Sequence, residues 1–338
     1  MIERLLVVGL GSIGRRHTRI ARGLVPGLQL LALRHAAAAG YGEPDIQSVA
    51  ALPDALAFRA QAAVIASPAT HHLETALPLA RAGVHLFIEK PIASVSSGVD
   101  ELISECRSRN LVLMIGYNLR FLPSLLSFRS HLRERLVGRV LSVRSEVGQY
   151  LETWRPGANY RNAVTARAEL GGGVLLELSH EIDYLRWLFG EIEWVQAAAS
   201  RQSELEIDVE DTAHLILGFE PSCDAQPVVA TVNMDCIRHD TTRWCTVIGE
   251  RGSLRWDGIA GRVEAHFAGD EAFRPLYGHK HSADESYIAE WEHFLRCIAQ
   301  GTEPEVSGAD GLAVLRVVEA CREAARTGRR QYMRNTMR

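Results

Sequence analysis

Apolar residues at the start of the chain fall in short β-branched runs separated by stretches of helical length. Ile2 to Val8 is the first such run and predicts a buried strand. A glycine turn follows over 9–14, and Ile13 to Arg22 continues as a helix. Leu28 to Leu33, Ala62 to Ala66, Val84 to Ile88 and Leu111 to Ile115 repeat the strand pattern. Thr70 to Arg81, closed by Gly83, and Ser96 to Arg109 supply helices between them. Strands alternating with helices predict a parallel sheet covered on both faces. The stretch Arg34 to Pro53 fits least well, being short for a complete strand–helix unit.

After about Phe121 the pattern changes. Val140 to Val147, Val195 to Ser200, Thr212 to Phe219, Val228 to Met234, Trp244 to Ile248 and Ser253 to Trp256 read as strands. Turns such as Pro221 to Pro227 and Gly249 to Gly252 join some of them directly, which predicts an antiparallel or mixed sheet. Helices over Ser286 to Gln300 and Gly308 to Thr327 close the chain. The expected fold is therefore α/β, with an N-terminal doubly wound Rossmann sheet and a C-terminal α+β domain built on a large open mixed sheet.

Composition narrows the function. The chain has 338 residues, enough for two domains, with 47% hydrophobic and 23% charged residues. A net charge of −4 offers no electrostatic case for nucleic acid. No apolar run is long enough to span a bilayer, and the first apolar run is cut short by a glycine turn, unlike a signal peptide. A cytoplasmic location is the resulting expectation. The six cysteines form no CxxC pair and no zinc-like spacing, so no metal site is expected.

Gly9-Leu10-Gly11-Ser12-Ile13-Gly14 has the form GxGxxG between the first strand and the first helix. In that context the first glycine permits the turn, Gly11 lets backbone approach a pyrophosphate, and Gly14 lets helix pack on strand. Amides at the start of the helix, at Ser12 and Ile13, then face the phosphates. At the end of the second strand NAD-binding domains use an acid for the ribose 2′-hydroxyl. Arg34-His35 stand there instead, and arginine suits a 2′-phosphate. NADP is accordingly favoured over NAD.

Glu89-Lys90-Pro91, together with the glycine turn, resembles the Gfo/Idh/MocA family of oxidoreductases. The resemblance extends through Ser67-Pro68 with His72, Gly116-Tyr117-Asn118-Leu119-Arg120-Phe121, the run Gly171 to Glu177 with His180 to Asp183, and Gly308-Ala309-Asp310-Gly311. It implies a nucleotide-binding domain over 1–120, a substrate and oligomerisation domain over 121–307, and a C-terminal helix over 308–338 that packs back on the first domain. It also implies cofactor contacts from Ser67, Pro68, His72, Glu89 and Lys90, and substrate contacts from Tyr117, Asn118 and Arg120. The substrate would be a sugar, a sugar derivative or a nucleotide sugar. A homodimer or homotetramer through the open sheet is a further implication.

The catalytic expectation follows from residue chemistry. Lys90, just past a strand's carboxyl end, lies where ligands bind in doubly wound sheets, and it can steady charge on the reacting oxygen. His180 has the side chain suited to proton transfer near neutrality, and Asp183 lies three positions on. Many members of the resembled family have Asp, three intervening residues, then His. Here Glu177 stands in the Asp position and only Leu178-Ser179 intervene. Trp154, Arg155, Tyr160 and Arg161 form a polar, aromatic stretch suited to stacking on a sugar ring or gripping an anion, or to covering the second sheet. Two other functions stay open: a non-catalytic NAD(P)-binding sensor of the same fold, and a related reductase of a non-sugar substrate such as a dihydrodiol or a tetrapyrrole.

Overall fold

A computed structural model describes residues 2–34, 46–154, 157, 159–221 and 227–333. The chain forms two compact units, one of residues 1–118 with 284–315, the other of residues 119–283 with 316–338.

In the first unit, β1 (Arg4–Val8), β2 (Gln29–Leu33), β3 (Gln47–Val49), β4 (Ala62–Ile65), β5 (His85–Glu89) and β6 (Leu113–Gly116) make a parallel six-stranded sheet in the order β3-β2-β1-β4-β5-β6. This is the doubly wound order, reversing between β1 and β4. The strands β1, β4, β5 and β6 are short and mostly apolar because helices cover both faces, and Leu5, Leu6, Val7, Val64 and Phe87 are fully buried, whereas the edge strand β3 is polar. Helices α1 (Ser12–Leu24), α2 (Leu52–Ala57), α3 (His72–Arg81) and α4 (Val99–Ser108) connect the strands. The poorly fitting stretch holds β3 and the short α2, and its positions 35–45 lie outside the described residues.

The second unit begins with α5 (Pro123–Arg133), which the pattern had not marked. Then come β7 (Val140–Gly148), α6 (Val174–Glu177), α7 (His180–Phe189), β8 (Ile192–Ser200), β9 (Thr212–Phe219), β10 (Val229–Asp235), β11 (Thr242–Gly249), β12 (Gly252–Asp257), β13 (Arg262–Phe267) and β14 (Arg274–Gly278). With β15 (Gln331–Tyr332) they form a nine-stranded sheet ordered β14-β13-β12-β11-β7-β10-β9-β8-β15. Only β10–β7 is parallel, so the sheet is mixed. Strand alternation drives one face inward: Val143, Ser145 and Val147 of β7 are buried. The strands β13 and β14 escaped the pattern because arginine, histidine and proline dilute their apolar positions.

The end of the chain divides in a way that the boundaries 121–307 and 308–338 did not describe. Helix α8 (Glu285–Gln300) packs in the first unit, where Trp291 and Phe294 join Phe87 in the core. Helix α9 (Gly308–Thr327) starts there as well, while residues 316–338 belong to the second unit. Side-chain-free positions explain its start: a Cβ at Gly308 would lie 2.4 Å from Leu113, and one at Gly311 2.9 Å from Ile115.

Candidate active site

In the first unit the glycine turn is shaped by the backbone itself. Gly9 has φ +87°, and a Cβ there would stand 2.9 Å from the Ala66 carbonyl. A Cβ on Gly14 would meet the Gly9 carbonyl at 2.0 Å. Gly11 differs, because a Cβ there has nothing within 4 Å. Internal packing therefore does not demand a glycine at 11. The space beside it is open, and the turn leads into the start of α1, whose first amides lack helical acceptors. Ser67, beyond β4, adds a buried hydroxyl with no hydrogen-bond partner. The turn and Ser67 fit a dinucleotide pyrophosphate. Pro68 opens the 3-10 turn Ala69–His71. Arg34 follows β2, its amide bonded to the Val49 carbonyl at 3.0 Å, and His35 lies outside the described residues.

Two residues expected to touch the cofactor are occupied elsewhere. The His72 ring is buried between carbonyls, with Nε2 2.8 Å from Ser67 O and Nδ1 3.0 Å from Pro91 O. Burial lowers its pKa from the ordinary 6.5, against the pull of those carbonyls. It clamps the loop after β4 to the loop after Lys90. Glu89 is buried, and its Oε1 lies 2.7 Å from His17 Nε2 while Oε2 accepts from the Lys90 amide at 3.2 Å. Each of its carboxylate oxygens thus has a partner within the unit. Gly116 beside it is a close approach, since a Cβ would come within 3.2 Å of the Glu89 carboxyl carbon. Lys90 follows β5, partly exposed, and the Lys90–Pro91 peptide is cis. Tyr117 and Asn118 are buried, Asn118 donating to Ser286 Oγ at 2.8 Å.

In the second unit the stretch from Gly173 to Phe189 is divided between two helices. Helix α6 ends at Glu177 and α7 starts at His180, with Ser179 Oγ donating to the Leu176 carbonyl at 2.8 Å. Glu177 accepts from Thr165 Oγ1 at 2.9 Å. The preceding glycines are structural: a Cβ on Gly172 would lie 2.4 Å from Val164 O, and Gly173 has φ +98° with the Glu210 carboxylate beside it. Asp183 is paired with Arg120 through both oxygens, at 2.6 and 3.0 Å, and the two residues are 0% and 4% exposed. Two residues expected to serve chemistry and substrate thus hold one another, as a bidentate fork.

The stretch around Trp154 also turns onto its own unit. Trp154 Nε1 donates to the Gln149 carbonyl at 2.7 Å. Tyr160 carries the Arg161 guanidinium 4.8 Å from its ring centroid, and Arg161 pairs with Glu206 at 2.5 Å. Arg155 lies outside the described residues. Among the described residues no three His, Cys, Asp or Glu side chains could hold a metal, and no helix is long and apolar enough to cross a membrane. Cys106, Cys236 and Cys321 are buried thiols pushed up to about 12, which keeps them inert.

Known proteins match both units. The oxidoreductase family's NAD-binding Rossmann fold matches residues 4–117, and its C-terminal alpha/beta domain matches residues 129–333. Inositol 2-dehydrogenase 2 of Saccharopolyspora erythraea is 30% identical over 350 residues, covering 97% of this chain and 94% of that protein. The chain belongs to the Gfo/Idh/MocA oxidoreductases. A further relative of solved structure is the aldose-aldose oxidoreductase from Caulobacter crescentus, complexed with glycerol. It is 25% identical with a TM-score of 0.80, covering 98% of this chain and 99% of that one. Levoglucosan dehydrogenase in complex with NADH shares the fold at TM-score 0.83 and 22% identity, with 97% and 98% covered. Within the family, this chain's first unit is a nicotinamide-dinucleotide-binding domain and the protein is an oxidoreductase.

The buried ion pair generates one prediction. Arg120→Ala or Asp183→Asn alone strands a buried polar group and is expected to cost about 3–5 kcal/mol. The double variant Arg120→Met with Asp183→Leu is expected to recover most of that. Urea midpoints check it, and equal loss in the double variant rejects it. A second concerns the turn: Gly11→Val is expected to abolish NAD(P)H binding with an unchanged far-ultraviolet circular dichroism spectrum, because the new side chain fills the open space at the turn. Unchanged affinity by NAD(P)H fluorescence titration rules that out.

Proposed function

We propose that this chain oxidises a secondary hydroxyl of a sugar or cyclic polyol, or reduces the matching carbonyl, with Lys90 and His180 as its catalytic residues. The observation that carries the reading is the use of lysine. The chain holds 37 lysines and arginines together, yet lysine occurs only at Lys90 and Lys280. Arginine serves nearly everywhere a surface cation is wanted. A compact amine at the carboxyl end of β5 meets a need that a permanently charged planar guanidinium does not. It donates to one oxygen and follows the charge that develops there. A bound nicotinamide dinucleotide supplies the ring that accepts or returns the hydride.

His180, at the first position of α7, accepts the hydroxyl proton in the oxidative direction. Asp183 anchors α7 through Arg120. Gly11, Ser12, Ile13 and Ser67 hold the pyrophosphate side of the dinucleotide. Relatives named for inositol, levoglucosan and aldoses support a polyhydroxylated substrate. Each of those offers adjacent hydroxyls to polar donors.

Arg34 supports a preference for NADP(H). A charge-assisted bond to the 2′-phosphate contributes about 1.5–3 kcal/mol, so NADP(H) is expected to bind about 10-fold to 100-fold more tightly than NAD(H). Arg34→Ala should erase the difference. Fluorescence titration reads this directly, and an NAD(H) preference that persists in Arg34→Ala rejects it.

The catalytic roles are tested by absorbance at the nicotinamide band with a panel of myo-inositol, levoglucosan, aldoses and nucleotide sugars. Lys90→Met and His180→Ala should each lower kcat/KM by about 100-fold or more. Both act in one proton and charge transfer, so the double variant should be little worse than the poorer single. Full activity and an unchanged pH profile in His180→Ala would remove it from the mechanism. Absence of turnover across the panel, with intact cofactor binding, would favour a nucleotide-binding sensor.

A further inference from the structure

A buried relay runs behind Lys90. His17, one turn beyond Gly14 on α1, is 0% exposed, and its ring packs edge-on to Phe87 at 4.9 Å between centroids. Packing alone would be served by an apolar residue, as at Phe87 and Phe294 in the same cluster. Instead both ring nitrogens are engaged. Trp291 Nε1 of α8 lies 2.8 Å from Nδ1, and Glu89 Oε1 lies 2.7 Å from Nε2. An indole N–H only donates, so Nδ1 accepts and the ring hydrogen sits on Nε2, directed at Glu89. The other Glu89 oxygen accepts from the Lys90 amide at 3.2 Å. The chain of donors is one-way: Trp291 to His17, His17 to Glu89, with the Lys90 amide on the far oxygen.

We propose that His17 is a positioning residue for Lys90, fixing through the Glu89 carboxylate the bend that carries the amine and tying that bend to the helix that begins at the phosphate-binding turn. The inference rests on the reading of Lys90 as a catalytic residue. Its physical basis is that a carboxylate with two hydrogen-bond partners on opposite oxygens has a fixed rotamer. Glu89 can neither rotate toward the amine nor release the Lys90 amide without leaving a buried polar group unpaired. The adjacent Gly116 leaves Glu89 no side chain to lean on from β6, so the histidine supplies the support on one side. A misplacement of about 1 Å at a reacting group costs about 100-fold in rate, which sets what such a brace is worth.

With lysine at only two positions, uniform [6-13C]lysine labelling of the full chain yields two Cε signals, and Lys280→Arg assigns them. The expected result is that His17→Leu shifts or splits the Lys90 signal while the Lys280 signal stays in place. His17→Gln, which keeps one donor and one acceptor, should restore the Lys90 signal and hold kcat within about 3-fold, where His17→Leu loses about 10-fold to 100-fold. Cofactor affinity should stay within about 3-fold throughout. If His17→Leu does not yield folded protein, Trp291→Phe replaces it. That change removes the indole donor and keeps an aromatic ring, and the Lys90 signal should move alone. Ring 15N shifts in the unmodified chain should show hydrogen on Nε2 and none on Nδ1. An unmoved Lys90 signal in His17→Leu, or in Trp291→Phe where that variant is used, overturns the positioning role, as does the opposite ring tautomer. An unmoved signal beside an inactive Lys90→Met overturns the positioning alone. Full turnover in Lys90→Met overturns the reading of Lys90 and the functional sense of the brace with it.

Discussion

The contact on which the first unit depends is between two glycines. Gly14 lies so near the Gly9 carbonyl that a Cβ would sit at 2.0 Å, less than any real contact allows. That approach fixes how deeply α1 seats against the sheet. It leaves the first amides of the helix turned outward at Gly11, Ser12 and Ile13. One turn later it brings His17 down among Phe87 and Trp291, within reach of the end of β5. Thr18 returns its hydroxyl to the Gly14 carbonyl at 2.9 Å and closes the same turn. The open start of α1 and the His17–Glu89 contact are therefore two consequences of one packing constraint.

In the second unit the comparable constraint is electrostatic. Arg120 and Asp183 leave water as a pair, and desolvating two charges offsets much of what their attraction returns. Such a pair adds little net stability but tolerates few alternatives, since either partner alone is a stranded charge. It fixes α7 against the segment that follows Asn118. Trp187 on the same helix stacks under the Arg129 guanidinium at 3.7 Å, and Arg186 pairs with Glu191. The glycine triplet does similar work in backbone terms, because Gly172 and Gly173 admit no side chain against Val164 and Glu210.

Five strands of the parallel sheet were legible because they are buried and read as apolar runs, while the polar edge strand β3 was not. The glycine turn was legible because its spacing is a geometric demand. The strands β13 and β14 were not, since an edge region exposed on one face mixes Arg262, Glu264, His266 and Arg274 into the pattern. Helix α5 was hidden by Pro123, which reads as a breaker though it is well placed in a first turn. Among the proposed site residues, Lys90 and His180 stood out by chemical type. His17 did not, although its place three residues after Gly14 put it on the sheet-facing side of α1, and that spacing was the available signal. The sequence also made Glu89, His72, Asp183 and Arg120 look like ligand-binding groups. What it does not reveal is a partner distant in sequence, such as Arg120 for Asp183, that takes up a polar side chain internally.

The short spacing between Glu177 and His180 bears on the aim of the histidine. In one continuous helix, removing a residue rotates everything beyond it by about 100°. Asp183 would then swing off Arg120, and Ile182 and Leu185 would leave the core. The helix breaks instead, with α6 ending at Glu177 and α7 restarting at His180. Beyond the break, the register of α7 is set by its own anchors: Asp183 on Arg120, Tyr184 Oη 2.6 Å from Ser145 Oγ, and Arg186 on Glu191. None of them refers to Glu177, which is held from the other side by Thr165. The backbone that carries His180 therefore takes its register from the helix it opens, whatever the number of residues between it and Glu177.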